Sequence, residues 1–154
     1  MKRQRIMITR DAELRDARGI AEVHVRSWQA AYAGIVPDED LAQLSVDQRE
    51  QFWAQILSRG VRATFVLVNR NLVVGWSGFG PARDEDCDPI LVAELHGIYL
   101  LTEYWSMGYG KGYGKQLYRA TETRIRQSLV ENLVSGCSRR ILAPAAFMKR
   151  LDTY

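Results

Sequence analysis

The sequence predicts an α+β protein in which a mixed, mostly antiparallel sheet is flanked by helices. A hairpin lies in the middle of the chain, where two apolar, β-branched stretches (63–68 and 72–79) flank the polar turn 69–71. Helical apolar spacing precedes this hairpin and returns after the last long apolar stretch. The resulting order, β-α-α-β-β-β-α, is typical of an α+β fold.

The N-terminal part is predicted to contain one strand and two main helices. Residues 6–9 form the strand. A helix begins near Asp11, and Asp38 is the expected N-cap of a short helical turn. Ser45 and Gln48 have the spacing of a capping box, which marks the start of the second helix. The apolar positions expected to face inward are Ile20, Val23, Trp28 and Ala31 in the first helix, and Phe52, Trp53, Ile56 and Leu57 in the second.

The C-terminal part begins with a strand over residues 90–101. A glycine-rich turn follows, and then a helix from about Lys115 to Gln127 that carries Leu117, Thr121 and Ile125 on one face. Beyond Ser128, residues 129–134 are predicted to be a strand and residues 141–151 a short helix. The whole chain, residues 1–154, is expected to form a single domain.

Composition narrows the functional classes. The 154 residues carry a net charge of +3, and the basic residues are scattered, which argues against a nucleic-acid partner. No stretch approaches the ~20 apolar residues of a membrane span. The basic N-terminus is followed by only three apolar residues, 6–8, which is too short for a secretory leader, so we expect a cytoplasmic protein without a membrane partner. Cys87 and Cys137 lack metal-ligand spacing, and no metal is expected.

The stretch "YWSMGYGKGYGKQLY", residues 104–118, repeats the tetrapeptide Gly-Tyr-Gly-Lys and places four glycines at a turn between strand and helix. Such a turn presents backbone N–H groups that have no partner within the helix, and together with the helix dipole they form an anion site. Lys111 and Lys115 add positive charge. Neither Gly-Lys pair is followed by Ser or Thr, which excludes a P-loop. A phosphate or pyrophosphate ligand is favoured over a purely structural turn.

Three segments in this order resemble the GNAT family of N-acetyltransferases: "HVRSWQAAYAGIVPDEDLAQLS" (24–45), "VVGWSGFGP" (73–81) and "AELHGIYLLTEYWSMGYGKGYGKQLY" (93–118). The resemblance extends from about residue 6 to residue 127, and residues 128–154 diverge from it. It implies direct transfer of an acetyl group from acetyl-CoA to an amine, without a metal. The acceptor is expected to be a small-molecule or peptide amine, and a homodimer is left open.

The resemblance also implies roles for individual residues. The turn would hold the pyrophosphate through Gly108, Gly110, Lys111, Gly112, Tyr113, Gly114 and Lys115. The backbone of Ile98, Tyr99 and Leu100 would pair with the pantetheine arm like an added strand. We expect the second tetrapeptide copy to be the working one. If the first copy were used, Gly112 and Gly114 would enter the first helical turns at a cost of about 1 kcal/mol each.

An acidic residue on the preceding strand, Glu94, matches the position of the general base in relatives. His96 shares its face and is an alternative. Trp28 and Tyr32 lie one helical turn apart, and the resemblance implies that they line the acceptor cleft, although core packing is an alternative for both.

The segment after Asn132 lacks the Phe-Tyr pair of relatives, whose Tyr commonly protonates the leaving thiolate. The sequence therefore leaves two functions open, an N-acetyltransferase with weak turnover or a catalytically impaired CoA-binding or regulatory domain.

Overall fold

The computed structural model describes residues 7–60, 62–81, 85, 92–105, 112–134 and 140–142. These residues form a five-stranded sheet with the order β1-β2-β3-β4-β5. Its strands are β1 (Met7–Asp11), β2 (Ala63–Asn69), β3 (Leu72–Pro81), β4 (Val92–Leu100) and β5 (Arg140–Leu142). The first four pair antiparallel, whereas β5 runs parallel to β4. The predicted mixed, mostly antiparallel sheet is confirmed.

In the described part of the chain, four α-helices flank the sheet: α1 (Ala17–Ala31), α2 (Asp38–Ala42), α3 (Val46–Arg59) and α4 (Tyr113–Val134). Two adjacent side chains of β3 show on which face of the sheet α3 and α4 lie. Trp76 packs against Trp53 of α3, whereas Ser77 hydrogen-bonds Thr121 of α4. Because adjacent strand residues point to opposite faces, α3 and α4 cover opposite sides of the sheet. No helix of the described ranges is both long and apolar enough to span a bilayer.

Two local predictions are confirmed in detail. The β2–β3 hairpin turns through Arg70 and Asn71, with φ values of 48° and 68°. Two consecutive positive φ angles are the signature of the type I′ turn, whose twist suits a two-residue hairpin loop. At the start of α3, the Ser45 side chain accepts a hydrogen bond from the Gln48 amide at 3.3 Å, as the capping spacing predicts.

The predicted starts of the two earlier helices were wrong. A short 3₁₀ turn (Leu14–Asp16) precedes α1, which begins at Ala17 and not near Asp11. The N-cap of α2 is Pro37, because its carbonyl accepts from the backbone amides of Asp40 and Leu41. Asp38 is therefore the first helical residue, where its carboxylate favourably faces the positive end of the helix dipole.

A partly buried ion pair explains the late start of α1. Arg10 on β1 donates two hydrogen bonds to the carboxylate of Asp16, at 2.7 and 2.9 Å, and the Glu13 amide donates a third at 2.7 Å. Burial opposes ionisation of Asp16, yet these hydrogen bonds and the Arg10 charge lower the pKa of its carboxyl. The pair joins the first strand to the chain that leads into α1.

Two predictions for the C-terminal segment were also wrong. Residues 129–134 belong to α4 and not to a strand. Between Lys115 and Val134 the sequence contains neither Gly nor Pro, so nothing interrupts the helix. Residues 141 and 142, where a helix over 141–151 was expected to begin, belong instead to β5, which pairs with residues 92–94 of β4; residues 143–151 lie outside the described residues. Pairing with the edge of the sheet satisfies the backbone N–H and C=O groups of this segment. The spacing of apolar residues within the segment does not predict that pairing.

Helix α4 packs on the sheet through the predicted face, since Leu117, Thr121 and Ile125 are all buried. A hydroxyl pair lies at the centre of this contact. The Ser77 and Thr121 hydroxyl oxygens are 2.7 Å apart, and Thr121 donates its proton to the Leu117 carbonyl at 2.9 Å. Ser77 is therefore the donor to Thr121.

Replacement of Thr121 by Val should lower the free energy of unfolding by about 1–3 kcal/mol, because the buried Ser77 hydroxyl loses its acceptor. The double variant Ser77→Ala/Thr121→Val should regain much of that loss, since neither polar partner remains. Urea unfolding of both variants, with Ser77→Ala as the matched single change, measures the coupling. Strictly additive losses would contradict the buried hydrogen bond.

Candidate active site

A cleft of about 260 Å³ opens on the face of the sheet that carries α1 and α3. Its walls are mostly aromatic, with rings from α1, α3, β3 and β4. They belong to Trp28, Phe52, Trp53, Trp76, Tyr99 and the two histidines, His24 and His96. The volume is near the lower limit of small-molecule pockets, so the cleft suits a small ligand.

Trp28 and Tyr32, which the sequence placed in an acceptor cleft, have different positions. Trp28 lines the cleft, whereas Tyr32 is not among the lining residues and instead packs beside Trp28, with 4.9 Å between the ring centroids. Tyr32 therefore contacts the wall of the cleft without forming part of it.

His24 lies at the centre of the aromatic walls, and the sequence analysis missed it. Its ring stacks on Tyr99 with a 5.6 Å centroid separation and an 11° interplanar angle. The rings of Trp28 and Trp76 lie at the same centroid distance. The signal that could have identified His24 is its position one helical turn before Trp28, on the face that also includes Tyr32.

The tautomer of His24 follows from its hydrogen bond. Trp53 Nε1 donates to His24 Nδ1 at 3.3 Å, so the proton of the neutral ring resides on Nε2. Burial, with a smaller effect of the nearby Arg49 charge, lowers the pKa of His24 to about 4. At neutral pH the ring is an uncharged hydrogen-bond donor.

Gly97 permits the stacking of Tyr99 on His24. A Cβ atom at Gly97 would lie 2.5 Å from Cε2 of the Tyr99 ring. This separation is far shorter than a van der Waals contact, so a side chain at position 97 would displace the ring. Glycine therefore sets the direction in which Tyr99 enters the cleft.

A β-bulge directs two polar side chains of β4 toward the cleft. Gly78 pairs with Gly97 and Phe79 pairs with Leu95, which leaves His96 as the additional residue. His96 lines the cleft.

Glu94 lies on the same side of the sheet as the cleft. It pairs with Gly80, which shares a face with the cleft-lining Gly78. The structure thus places Glu94 and His96 on the cleft side of β4.

Two arginines also line the cleft. Arg49 on α3 lies over the ring of Phe52, 6.0 Å from the centroid, and Arg62 precedes β2. Phe52 was expected to face inward but is 39% exposed. Trp53, its neighbour, occupies the inward position, so Phe52 is rotated toward the mouth of the cleft.

The end of β4 leaves backbone groups at the edge of the sheet. The Leu101 amide donates to the Val74 carbonyl, so by strand alternation the backbone groups of Leu100 and Ile98 point away from β3. The Leu100 carbonyl accepts a 2.7 Å hydrogen bond from Trp105 Nε1. Because β5 pairs only with residues 92–94, no strand of the described ranges pairs with residues 98–100 at this outer edge.

Helix α4 begins beside this edge. Gly112 has a φ of 48°, a conformation that favours glycine, and its carbonyl accepts from the Gln116 amide. Tyr113 is the first helical residue, and its ring is buried, so only its amide remains near the turn. A Cβ atom at Gly114 would meet only Leu100 Cδ1, at 3.8 Å, and Lys115 is exposed. Gly108, Gly110 and Lys111 lie outside the described residues.

A second depression, of about 360 Å³, lies between α4 and the first two strands. It is shallow, and its lining includes Arg119 and Arg124 but only one aromatic ring, that of Phe65. It does not include the cleft side of β4, so the aromatic cleft is the candidate active site. The described residues contain no group of three or more His, Cys, Asp or Glu side chains able to hold a metal ion.

Comparison with known proteins identifies the fold. No protein-family profile matches the chain. Its sequence is 37% identical over 107 residues to YuaI of Bacillus subtilis (strain 168), an uncharacterized N-acetyltransferase. The match covers 68% of this chain and 59% of YuaI, so the chain spans less than two thirds of that relative.

Three solved structures share the fold. YncA from Salmonella typhimurium, a putative acetyltransferase with its cofactor acetyl-CoA, gives a TM-score of 0.63 at 21% identity, covering 94% of this chain and 75% of YncA. A GCN5-related N-acetyltransferase from Ralstonia eutropha JMP134 gives 0.61 at 15% identity, with coverages of 94% and 87%. The aminoglycoside N-acetyltransferase AAC(6′)-Iy, in complex with a bisubstrate analog, gives 0.60 at 18% identity, with coverages of 96% and 88%.

The chain has the fold of the GNAT acetyltransferases. The resemblance noted in three sequence segments is thereby confirmed, as is the GNAT fold expected from it. In this chain the aromatic cleft and the outer edge of β4 lie on either side of the same short segment, residues 98–100.

Stability of the protein should depend on the protonation of His24. The unfolded chain takes up a proton near pH 6.5, whereas the folded chain does not until about pH 4, so stability is lost as the pH falls through this window. After a reduction for partial exposure, the loss amounts to roughly 2 kcal/mol. Urea unfolding at pH 7.5, 5.5 and 4.5 measures it.

His24→Gln provides the comparison, because this variant keeps a neutral polar side chain but removes the titrating group. The difference in unfolding free energy between wild type and variant should change over the same pH range. A difference that stays constant from pH 7.5 to 4.5 would contradict the depressed pKa.

Proposed function

We propose that this chain is an acetyl-CoA-dependent N-acetyltransferase that moves the acetyl group directly to an amine. One observation carries the proposal: the outward backbone groups at the end of β4 lie next to the start of α4, where Gly114 faces Leu100. An extended chain that carries amide groups can pair with the outward backbone groups of β4 like an added strand. An anion can bind at the N-terminus of α4. The pantetheine arm and pyrophosphate of CoA combine these two chemistries.

The residues fit CoA in a specific way. Ile98 and Leu100 would pair with the pantetheine arm, because their backbone groups point outward. The backbone of Tyr99 pairs instead with Trp76 of β3, and the ring of Tyr99 lines the cleft. Trp105, which donates to the Leu100 carbonyl, would yield that acceptor to the ligand.

The second tetrapeptide copy is proposed as the pyrophosphate site. Helix α4 begins at Tyr113, so the backbone amides of Gly112, Tyr113 and Gly114 lie at its N-terminus. These first amides have no partner within a helix, and the dipole favours an anion there. Lys115 adds a positive charge at an exposed position. The contribution of Gly108, Gly110 and Lys111 stays a prediction from the sequence.

Glu94 is proposed as the general base. Acetyl-CoA supplies the thioester, whose carbonyl carbon forms a bond to the acceptor nitrogen as the carbon–sulfur bond breaks. The carboxylate of Glu94, on the cleft side of β4, would take the ammonium proton through water. A thiolate with a thiol pKa of about 8–9 can leave without a strong acid. The reaction can therefore proceed, more slowly, without the Tyr that is missing after Asn132.

The cytoplasmic location and a homodimer stay predictions from the sequence. The impaired, CoA-binding alternative is an outcome of the tests below, because it predicts CoA binding without turnover.

Gly114→Val should raise the Kd for CoA about tenfold or more, since its side chain would occupy the space into which the pyrophosphate fits. The fold itself has room for a Cβ atom there, so the melting temperature should change little. Gly110→Val, the matched change in the first copy, should affect the Kd less. Calorimetry with CoA compares the two variants, and the opposite order would assign the site to the first copy.

Glu94→Gln should lower kcat/KM for the amine by about 10²–10⁴ with little change in CoA affinity, because only proton removal is impaired. The wild-type rate should rise with pH as the amine loses its proton. Glu39→Gln, a change at an exposed position of α2, is the matched control. Thiol release assayed from pH 6 to 9 measures both variants. An unaffected Glu94→Gln would remove Glu94 from the role of base.

A further inference from the structure

The charged residues that line the cleft in the described part of the chain are all positive. Arg49 and Arg62 contribute guanidinium groups, and no carboxylate is among the described lining residues. Both arginines are half-buried, and neither forms an ion pair within the described ranges. Arg10, Arg18 and Arg26 are in contrast all bound to carboxylates. The cleft therefore holds positive charge that the surrounding described residues do not neutralise.

The hydrogen-bonding side chains that line the cleft are mainly donors, which also favours a negatively charged ligand. The Nε1 atoms of Trp28 and Trp76 are buried and have no partner in the described part of the chain. An indole N–H only donates, and the hydrogen bond from Trp53 makes His24 Nε2 a donor as well. The buried Thr64 hydroxyl, which also lines the cleft, can donate or accept, so a complementary ligand should supply mainly acceptors, as an oxyanion does.

The position of Arg62 relates this charge to the proposed base. A Cβ atom at Gly80 would lie 3.3 Å from Arg62 Cγ, and Gly80 pairs with Glu94. Arg62 and His96 therefore both approach the backbone position Gly80, whose partner in the sheet is Glu94. A ligand that binds both Arg62 and Glu94 would carry an anionic group and an amine a short distance apart.

We propose that the acceptor is a small amino carboxylate, a primary amine that also carries a carboxylate and an aromatic or aliphatic body. The carboxylate binds Arg49 and Arg62, the body packs between the aromatic rings, and the amine faces Glu94. The proposal rests on the acetyltransferase function and specifies its substrate class. A polyamine or aminoglycoside is disfavoured, because its additional ammonium groups would meet guanidinium groups in a partly buried site.

Matched pairs of amines test the proposal. L-tryptophan and L-phenylalanine are compared with tryptamine and phenethylamine, which have the same bodies and amines but no carboxylate. We expect kcat/KM for acetylation to be at least tenfold higher for each amino acid, as a charge-assisted hydrogen bond typically supports. Equal use of both members of each pair, or a preference for spermidine over all four, would overturn the proposal.

Arginine variants assign the preference to the cleft. Arg49→Gln and Arg62→Gln should each lower the ratio of kcat/KM for tryptophan over tryptamine about tenfold, and Arg49→Lys should lower it less. Arg59→Gln is the matched control, because Arg59 is an exposed residue of α3 that does not line the cleft. A ratio that neither Arg49→Gln nor Arg62→Gln alters would overturn the assignment.

Direct binding separates this proposal from the acetyltransferase function. Saturation-transfer NMR of the whole chain compares tryptophan and tryptamine without any need for turnover. Stronger binding of tryptophan that is lost in Arg62→Gln supports the amino carboxylate even if no amine is acetylated, in which case only the transferase proposal fails. Binding of tryptamine that equals or exceeds that of tryptophan overturns the amino carboxylate, whatever the activity.

Discussion

The contact of Trp76 with the rings of Trp53 and Tyr99 is the interaction on which the site depends. Trp76 is 3% exposed in the middle of β3, with its ring centroid 4.5 Å from that of Trp53 and 4.9 Å from that of Tyr99. Aromatic pairs of this kind contribute about 0.5–1.5 kcal/mol each beyond their buried area. They join α3, β3 and β4, so the wall of the cleft is also the core, and the cleft is formed by folding.

Strand β4 serves two chemistries because side chains and backbone groups alternate independently along it. Its side chains at Glu94 and Tyr99 lie on the cleft side of the sheet, as does the bulged His96. Its backbone groups at residues 98 and 100 point along the sheet, toward the edge that β5 leaves unpaired. The acceptor and the proposed cofactor can thus approach the same strand from different directions without competing for the same atoms.

His24 illustrates how packing determines the chemistry of a side chain. Alone, its imidazole would titrate near neutral pH. Enclosed by aromatic rings and bound by Trp53, it stays neutral with a defined tautomer. A neutral donor near the Arg49 guanidinium adds no repulsion to the cleft, which is compatible with the anionic ligand proposed above.

The sequence by itself determined the features encoded over a few residues: the turn at Arg70 and Asn71, the cap at Ser45 and the buried face of α4 that includes Leu117. Each depends on local backbone preference or helical spacing, which a single segment contains. Only the tertiary structure decided the neighbours of His24 and Arg49, because these neighbours include residues from segments distant in the chain. It also decided the pairing of β5, since the backbone groups at the edge of β4 can hydrogen-bond to any segment that reaches them. Local spacing carries no information about such contacts, whereas packing requires them.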